Sequence, residues 1–138
     1  MQITGAFEAD IDWHNDGTVC DGMPRPRGDA LRLMFSRDDE GLLIVLGITG
    51  LERGATADGL LANLTLVRQG VGEFYGTLGA NACLVEVSEN RLEPGETELY
   101  RISGQGRCEH PVGAIGRPGE IRVTPFSFTG RAHWPEQY

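Results

Sequence analysis

Apolar and polar residues alternate with a period of two along most of this chain, the pattern of strands with one covered face. The most legible unit runs from Cys83 to Cys108. Cys83, Val85 and Val87 alternate with Leu84, Glu86 and Ser88 on one side. On the other, Tyr100 and Ile102 alternate with Leu99, Arg101 and Ser103, and Gly104 and Gly106 continue the apolar phase. Glu93-Pro94-Gly95-Glu96 lies between them as turn chemistry: Pro presets φ at the first corner and Gly takes φ > 0 at the second. The segment predicts a long hairpin turning near Gly95, with Cys83 roughly opposite Cys108. Antiparallel pairing brings opposed Cα atoms to about 4.5–5.5 Å, so a Cys83–Cys108 disulfide fits, and closing that loop would contribute roughly 3.5 kcal/mol. Two reduced cysteines packed as small hydrophobes are the alternative.

The remaining elements follow the same reading. Ile3, Gly5, Phe7, Ala9 and Ile11 share one phase and predict a first strand over 3–11. Residues 13–29 break all periodicity with Gly, Asn, Asp and two prolines, and predict a long irregular loop. Leu31, Leu33 and Phe35 alternate with Arg32, Met34 and Ser36, and residues 37–41 read as a hairpin turn. Residues 42–48 (LLIVLGI) are nearly continuously apolar and predict a central strand or one buried on both faces. Residues 50–59 read as a polar connection. Leu60, Ala62, Leu64 and Leu66 then share a phase; a helix competes over 58–68, but strict alternation and the β-branched Thr65 and Val67 favour a strand. Residues 69–72 turn into a short aromatic strand over 73–78. Residues 110–119 read as a loop. A last strand over 120–130 changes phase at Pro125, which predicts a bulge or an edge position there. The sum is an all-β domain over residues 1–138, an antiparallel sandwich or flattened barrel of about eight strands.

Composition narrows the function. A chain of 138 residues is long enough for a core without staples, and no run approaches the ~18 apolar residues of a membrane helix. All 12 basic residues are arginine, which removes a P-loop, Schiff-base or general-base lysine. The net charge of −8 argues against a nucleic-acid partner, because no basic stripe exists to neutralise phosphates. Cys20 is left over if Cys83 and Cys108 pair. Met1 runs straight into strand-like sequence with no leader, so if the disulfide forms, the simplest account is a periplasmic or secreted protein whose leader has been removed.

Residues 10–17 (DIDWHNDG) are the densest run of oxygen ligands, but a calcium loop begun at Asp12 puts His14 at the third position and Met23 where a bidentate Glu belongs. An Asx-rich turn is the plainer reading. His14, His110, His133 and Cys20 lack paired zinc spacing. Ser36, Ser88, Ser103 and Ser127 are outside any nucleophile elbow. Gly104-Gln105-Gly106 is no dinucleotide fingerprint, because no helix follows it. Trp13, Tyr75, Trp134 and Tyr138 are the aromatic handles for a ligand. These readings point to ligand binding through Asp12, Trp13, His14, Asp16, Cys20 and Asp21, with no catalytic residue, metal or cofactor assigned. The expected partner is a small ligand, glycan or protein, and the expected state a monomer or a weak dimer through an edge strand. A hydrolase using the acids or Cys20 of that loop, with His14 as a partner for the thiol, is the alternative.

Cys20-Asp21-Gly22-Met23-Pro24, Leu31-Arg32-Leu33, Cys83 with Tyr100-Arg101-Ile102-Ser103-Gly104 and Cys108, and Phe126-Ser127-Phe128 resemble small, uncharacterised exported bacterial β-proteins. The resemblance spans most of the chain. It implies a periplasmic or secreted sandwich domain with a disulfide, and it carries over no catalytic residue.

Overall fold

A computed structural model describes residues 1–11, 19–24, 30–37, 41–77 and 83–134. The described residues are all β, with no helix among them: β1 (Gln2–Gly5), β2 (Ala9–Asp10), β3 (Val19–Pro24), β4 (Ala30–Arg37), β5 (Leu42–Thr49), β6 (Ala57–Arg68), β7 (Glu73–Gly76), β8 (Cys83–Leu92), β9 (Leu99–Arg107), β10 (Val112–Ala114), β11 (Glu120–Val123) and β12 (Phe126–His133). They form one antiparallel sheet of twelve strands, of sandwich type and not closed into a barrel.

β6 is the branch point. Residues 62–68 pair with β5, which continues the meander through β4 to β3. On its other flank, 57–62 pair with β8 and 65–68 with β7. One arm runs β8–β9–β12, the other β7–β10–β11–β1–β2. Both arms close on one core. Leu33, Phe35, Ile44, Leu46, Leu64 and Leu66 meet Val85, Ile102 and Phe128 from the first arm and Tyr75, Val112, Ile121 and Ile3 from the second. Phe35 and Phe128 touch edge to face at 6.5 Å between centroids, and β12 lies back against β3 and β4.

Twelve strands replace the expected eight because four readings change. The run over 3–11 is two strands: Gly5 takes φ of 110°, the backbone turns, and Ala9 pairs back on Ile3. A Cβ at Gly5 would stand 2.7 Å from the Glu120 carbonyl oxygen, so glycine is needed for that approach. The stretch 13–29 contains β3, laddered to β4 from Val19 to Pro24. Val112–Ala114 forms a bridge strand between β7 and β11 inside the expected 110–119 loop. The run over 120–130 is also two strands, in different arms: Val123 pairs with Ile3, and Phe126 pairs with Gly106. Pro125 has no N–H for a ladder, so the pairing ends there and the chain crosses from one arm to the other.

The hairpin forms as read. Glu93 to Glu96 closes by an amide–carbonyl bond of 3.0 Å with Gly95 at φ of 83°, and Leu84 pairs with Arg107 one residue inside the two cysteines. Cys83 and Cys108 are disulfide-bonded, with Cα atoms 4.2 Å apart. The run over 42–48 is covered on one face only: Leu42, Ile44, Leu46 and Ile48 are buried, whereas Leu43 and Val45 remain partly open.

Candidate functional site

Two bulges flank the middle of β8. On β6, Asp58 and Gly59 together oppose Glu86, between the pairs Ala57–Val87 and Leu60–Val85. Gly59 adopts φ of 68°, the left-handed conformation that lets one strand carry the extra residue. On the β8–β9 side the register shifts again between Val87 and Glu89, leaving Ser88 as the extra residue. Bulges bend a strand and re-aim its side chains. Here they border a groove of about 510 Å³ across β6, β8, β9 and the start of β12.

The ladder dictates which side chains meet there. Glu86 is opposite Gln105, and Gln105 is opposite Ser127, so a carboxylate, an amide and a hydroxyl form one exposed row over three strands. Opposed positions on one face lie about 4.5–5.5 Å apart at Cβ. Asp58 extends the row at the bulge, and Leu84, Arg107 and Pro125 line the groove beside it. Arg107 also reaches Glu109 at 3.4 Å. Gly106 and Phe126 also line the groove, and the Phe126 ring fills the place that a Cβ at Gly106 would take. The row can donate and accept hydrogen bonds along about 14 Å, three strand spacings.

A second cluster ties the end of β6 to the β7–β10–β11–β1–β2 arm. Arg68 Nη1 and Arg117 Nη2 each contact one oxygen of Glu73 at 2.6 Å. Arg117 also donates to the Tyr75 hydroxyl at 2.7 Å, and the Arg68 guanidinium lies 4.5 Å from the centroid of Phe7. Partial burial alone would raise the Glu73 carboxyl, but hydrogen bonds and charge from Arg68 and Arg117 outweigh it and hold the group below its usual range. The same contacts, led by the Tyr75 hydrogen bond, push Arg117 up. A cavity of about 350 Å³ adjoins this cluster, lined by Phe7, Glu8, Ala9, Asp10, Leu42 and Arg68. Glu73 is the anchor of three arms of packing: the β1–β2 turn through Phe7, the end of β6, and the loop carrying Arg117.

Of the residues expected to bind ligand, Asp12, Trp13, His14 and Asp16 lie outside the described residues, as does Tyr138. Cys20 and Asp21 are on β3, their backbones opposite Phe35 and Met34. Two of the expected aromatic handles are not surface groups. Tyr75 is 0% exposed, and Trp134 is 2% exposed with its ring against Tyr100 at 6.2 Å. Their alternation phase faces the core, which outweighs the polar tip of each ring. His110 is exposed, and His133 pairs with Glu98 at 3.1 Å. Among the described residues no three His, Cys, Asp or Glu side chains gather as a metal set. Sequence reasoning missed the Glu86–Gln105–Ser127 row, which exists only through the pairing register of three strands.

No helix among the described residues is long and apolar enough to cross a membrane. The disulfide is consistent with an oxidising compartment. Comparison with protein families, curated proteins and solved structures finds no match.

Proposed function

We propose that this protein is an exported, non-enzymatic binding module, periplasmic or secreted, whose β8–β9 groove holds a neutral, hydroxyl-rich ligand of the glycan type. The observation that carries the reading is the Glu86–Gln105–Ser127 row in a groove of about 510 Å³. Sugar hydroxyls both donate and accept, and a row that mixes carboxylate, amide and hydroxyl matches them. Two carboxylates against one arginine, itself close to Glu109, disfavour an anionic ligand.

The test is calorimetric titration with a panel of neutral oligosaccharides, followed by Glu86→Ala and Gln105→Ala. A binder in the panel whose affinity falls about tenfold in each variant supports the reading, the loss expected for one hydrogen bond to a charged or amide group. No heat from any member overturns it. A hydrolase is the second reading, favoured by one observation: Asp58 and Glu86 face the same groove. New reducing ends released from a bound oligosaccharide, and abolished in Glu86→Ala, would establish it.

A further inference from the structure

The ladder brings together three arginines that lie far apart in the sequence. Arg91 on β8 is opposite Arg101 on β9, and Arg101 is opposite Arg131 on β12. Opposed positions share a sheet face, and this one points outward: Asn90, Tyr100, Ile102 and Ala132, in the alternate phase, are buried. Like charges directly opposite each other destabilise a ladder, and this row sets up that conflict twice. The surrounding acids relieve one side of it. Glu89 lies 2.8 Å from Arg91 Nε and 3.4 Å from Arg101 Nε, and Glu93 lies 3.6 Å from Arg101 Nη1. Both acids belong to the β8 side, Glu89 within β8 and Glu93 at the turn that follows it. On the β12 side, Arg131 is exposed and makes no ion pair among the described residues. Glu98 is engaged by His133 at 3.1 Å.

We propose that the Arg101–Arg131 half of this row is an oxyanion site that takes a phosphate monoester. A guanidinium presents its N–H groups as a planar fork matched to two oxygens of such a group. Arg131 keeps its whole fork, and Arg101, with Nε and Nη1 turned to the acids, keeps Nη2. Neighbouring strands lie about 4.8 Å apart, so one tetrahedral anion can bridge the two side chains. A phosphate monoester carries a charge of about −1.5 to −2 at neutral pH, enough to offset the Arg101–Arg131 repulsion that no carboxylate answers. Three arginines bordered by Glu89, Glu93 and Glu98 are too short a track for a nucleic-acid backbone, in keeping with the net charge of −8. The site is separate from the groove: Arg101 lies four residues from Gln105, about 14 Å along β9, so it does not rest on the glycan reading.

The test is NMR titration of the full chain with inorganic phosphate and with glucose 6-phosphate, at neutral pH and with ionic strength held constant by sodium chloride. The expected result is saturable shifts of the Arg101 and Arg131 side-chain Nε–H signals, with millimolar affinity and no counterpart in chloride alone. Arg131→Gln should weaken binding about tenfold while melting like the parent. Glu93→Gln, which frees Arg101 Nη1, should tighten binding severalfold, a gain that a self-contained surface ion-pair network would not show. Glu86→Ala should bind phosphate as the parent does, whether or not the groove takes glycans. Tighter binding of the ester than of the free ion supports the proposal. Equal affinity for the two overturns the ester and leaves a site for inorganic phosphate. Absence of shifts in the row beyond those of chloride overturns the site itself, and so does phosphate binding undiminished in Arg131→Gln.

Discussion

Phe126 lays its ring over Gly106 on the neighbouring strand, where a Cβ would come within 2.5 and 2.6 Å of the ring carbons. The two are ladder partners at the base of the groove, and Phe126 is buried. Gly106→Ala must therefore displace a core ring. The expected loss is about 1–3 kcal/mol, read as a lower urea midpoint. Gly113→Ala, where a Cβ would have nothing within 4 Å, is the control and should stay near the parent.

The staple has its own magnitude. Cys83 and Cys108 close a separation of 25 residues, which the chain-entropy account values at about 3.5 kcal/mol. The paired replacement Cys83→Ala with Cys108→Ala should lower unfolding free energy by about that amount, less any relaxation of the denatured chain. Equilibrium denaturation of both proteins checks it. Cys83 is buried, so the paired variant also tests whether Leu84 and Arg107, next to the cysteines, keep the groove in place.

Glu73 sets a pH dependence of known sign. Its carboxyl is depressed in the fold below the ordinary 4.5, so its contribution is fully present above that pH and is lost as pH falls through the folded value. Glu73→Gln should melt lower than the parent at neutral pH. The gap between their melting temperatures should shrink as the pH is lowered below 4.5. A gap constant with pH would mean that the carboxylate charge contributes nothing there.

Asn90 pins a loop from inside the sheet. Its Nδ2 donates to the Glu52 carbonyl at 3.0 Å and to the Ala55 carbonyl at 2.9 Å, while Oδ1 is buried without a hydrogen-bond partner among the described residues. Asn90→Ala removes both donors and should destabilise by about 1–3 kcal/mol, with faster amide exchange over residues 51–55. Asn90→Asp should be worse than Asn90→Ala, because a carboxylate would face two carbonyl oxygens.

These relationships also mark where the sequence is legible. The hairpin could be read because its signals are local: alternation, Pro94-Gly95 at the corner, and cysteines equidistant from the turn. The strand rather than helix over 58–68 was legible for the same reason. The failures are all places where tertiary contact decides. Gly5 fits an alternating strand by phase, yet its φ of 110° and its approach to Glu120 fold the run in two. Pro125 marks a phase change from sequence, but only the ladder shows that the chain leaves one arm for the other. Tyr75 and Trp134 carry polar tips that suggest a surface role, and the core they fill is assembled from distant strands. The Glu86–Gln105–Ser127 row was out of reach because a row across three strands depends on register, and both bulges beside Glu86 change that register.

Amide chemical-shift mapping of the 15N-labelled protein during titration with neutral oligosaccharides tests ligand binding in the β8–β9 groove most directly. The expected result is saturable shifts at Asp58, Gly59, Leu84, Glu86, Gln105, Arg107 and Ser127, with little change around Glu73 and Arg117. Shifts confined to other parts of the chain, or no shifts with any oligosaccharide, would contradict it.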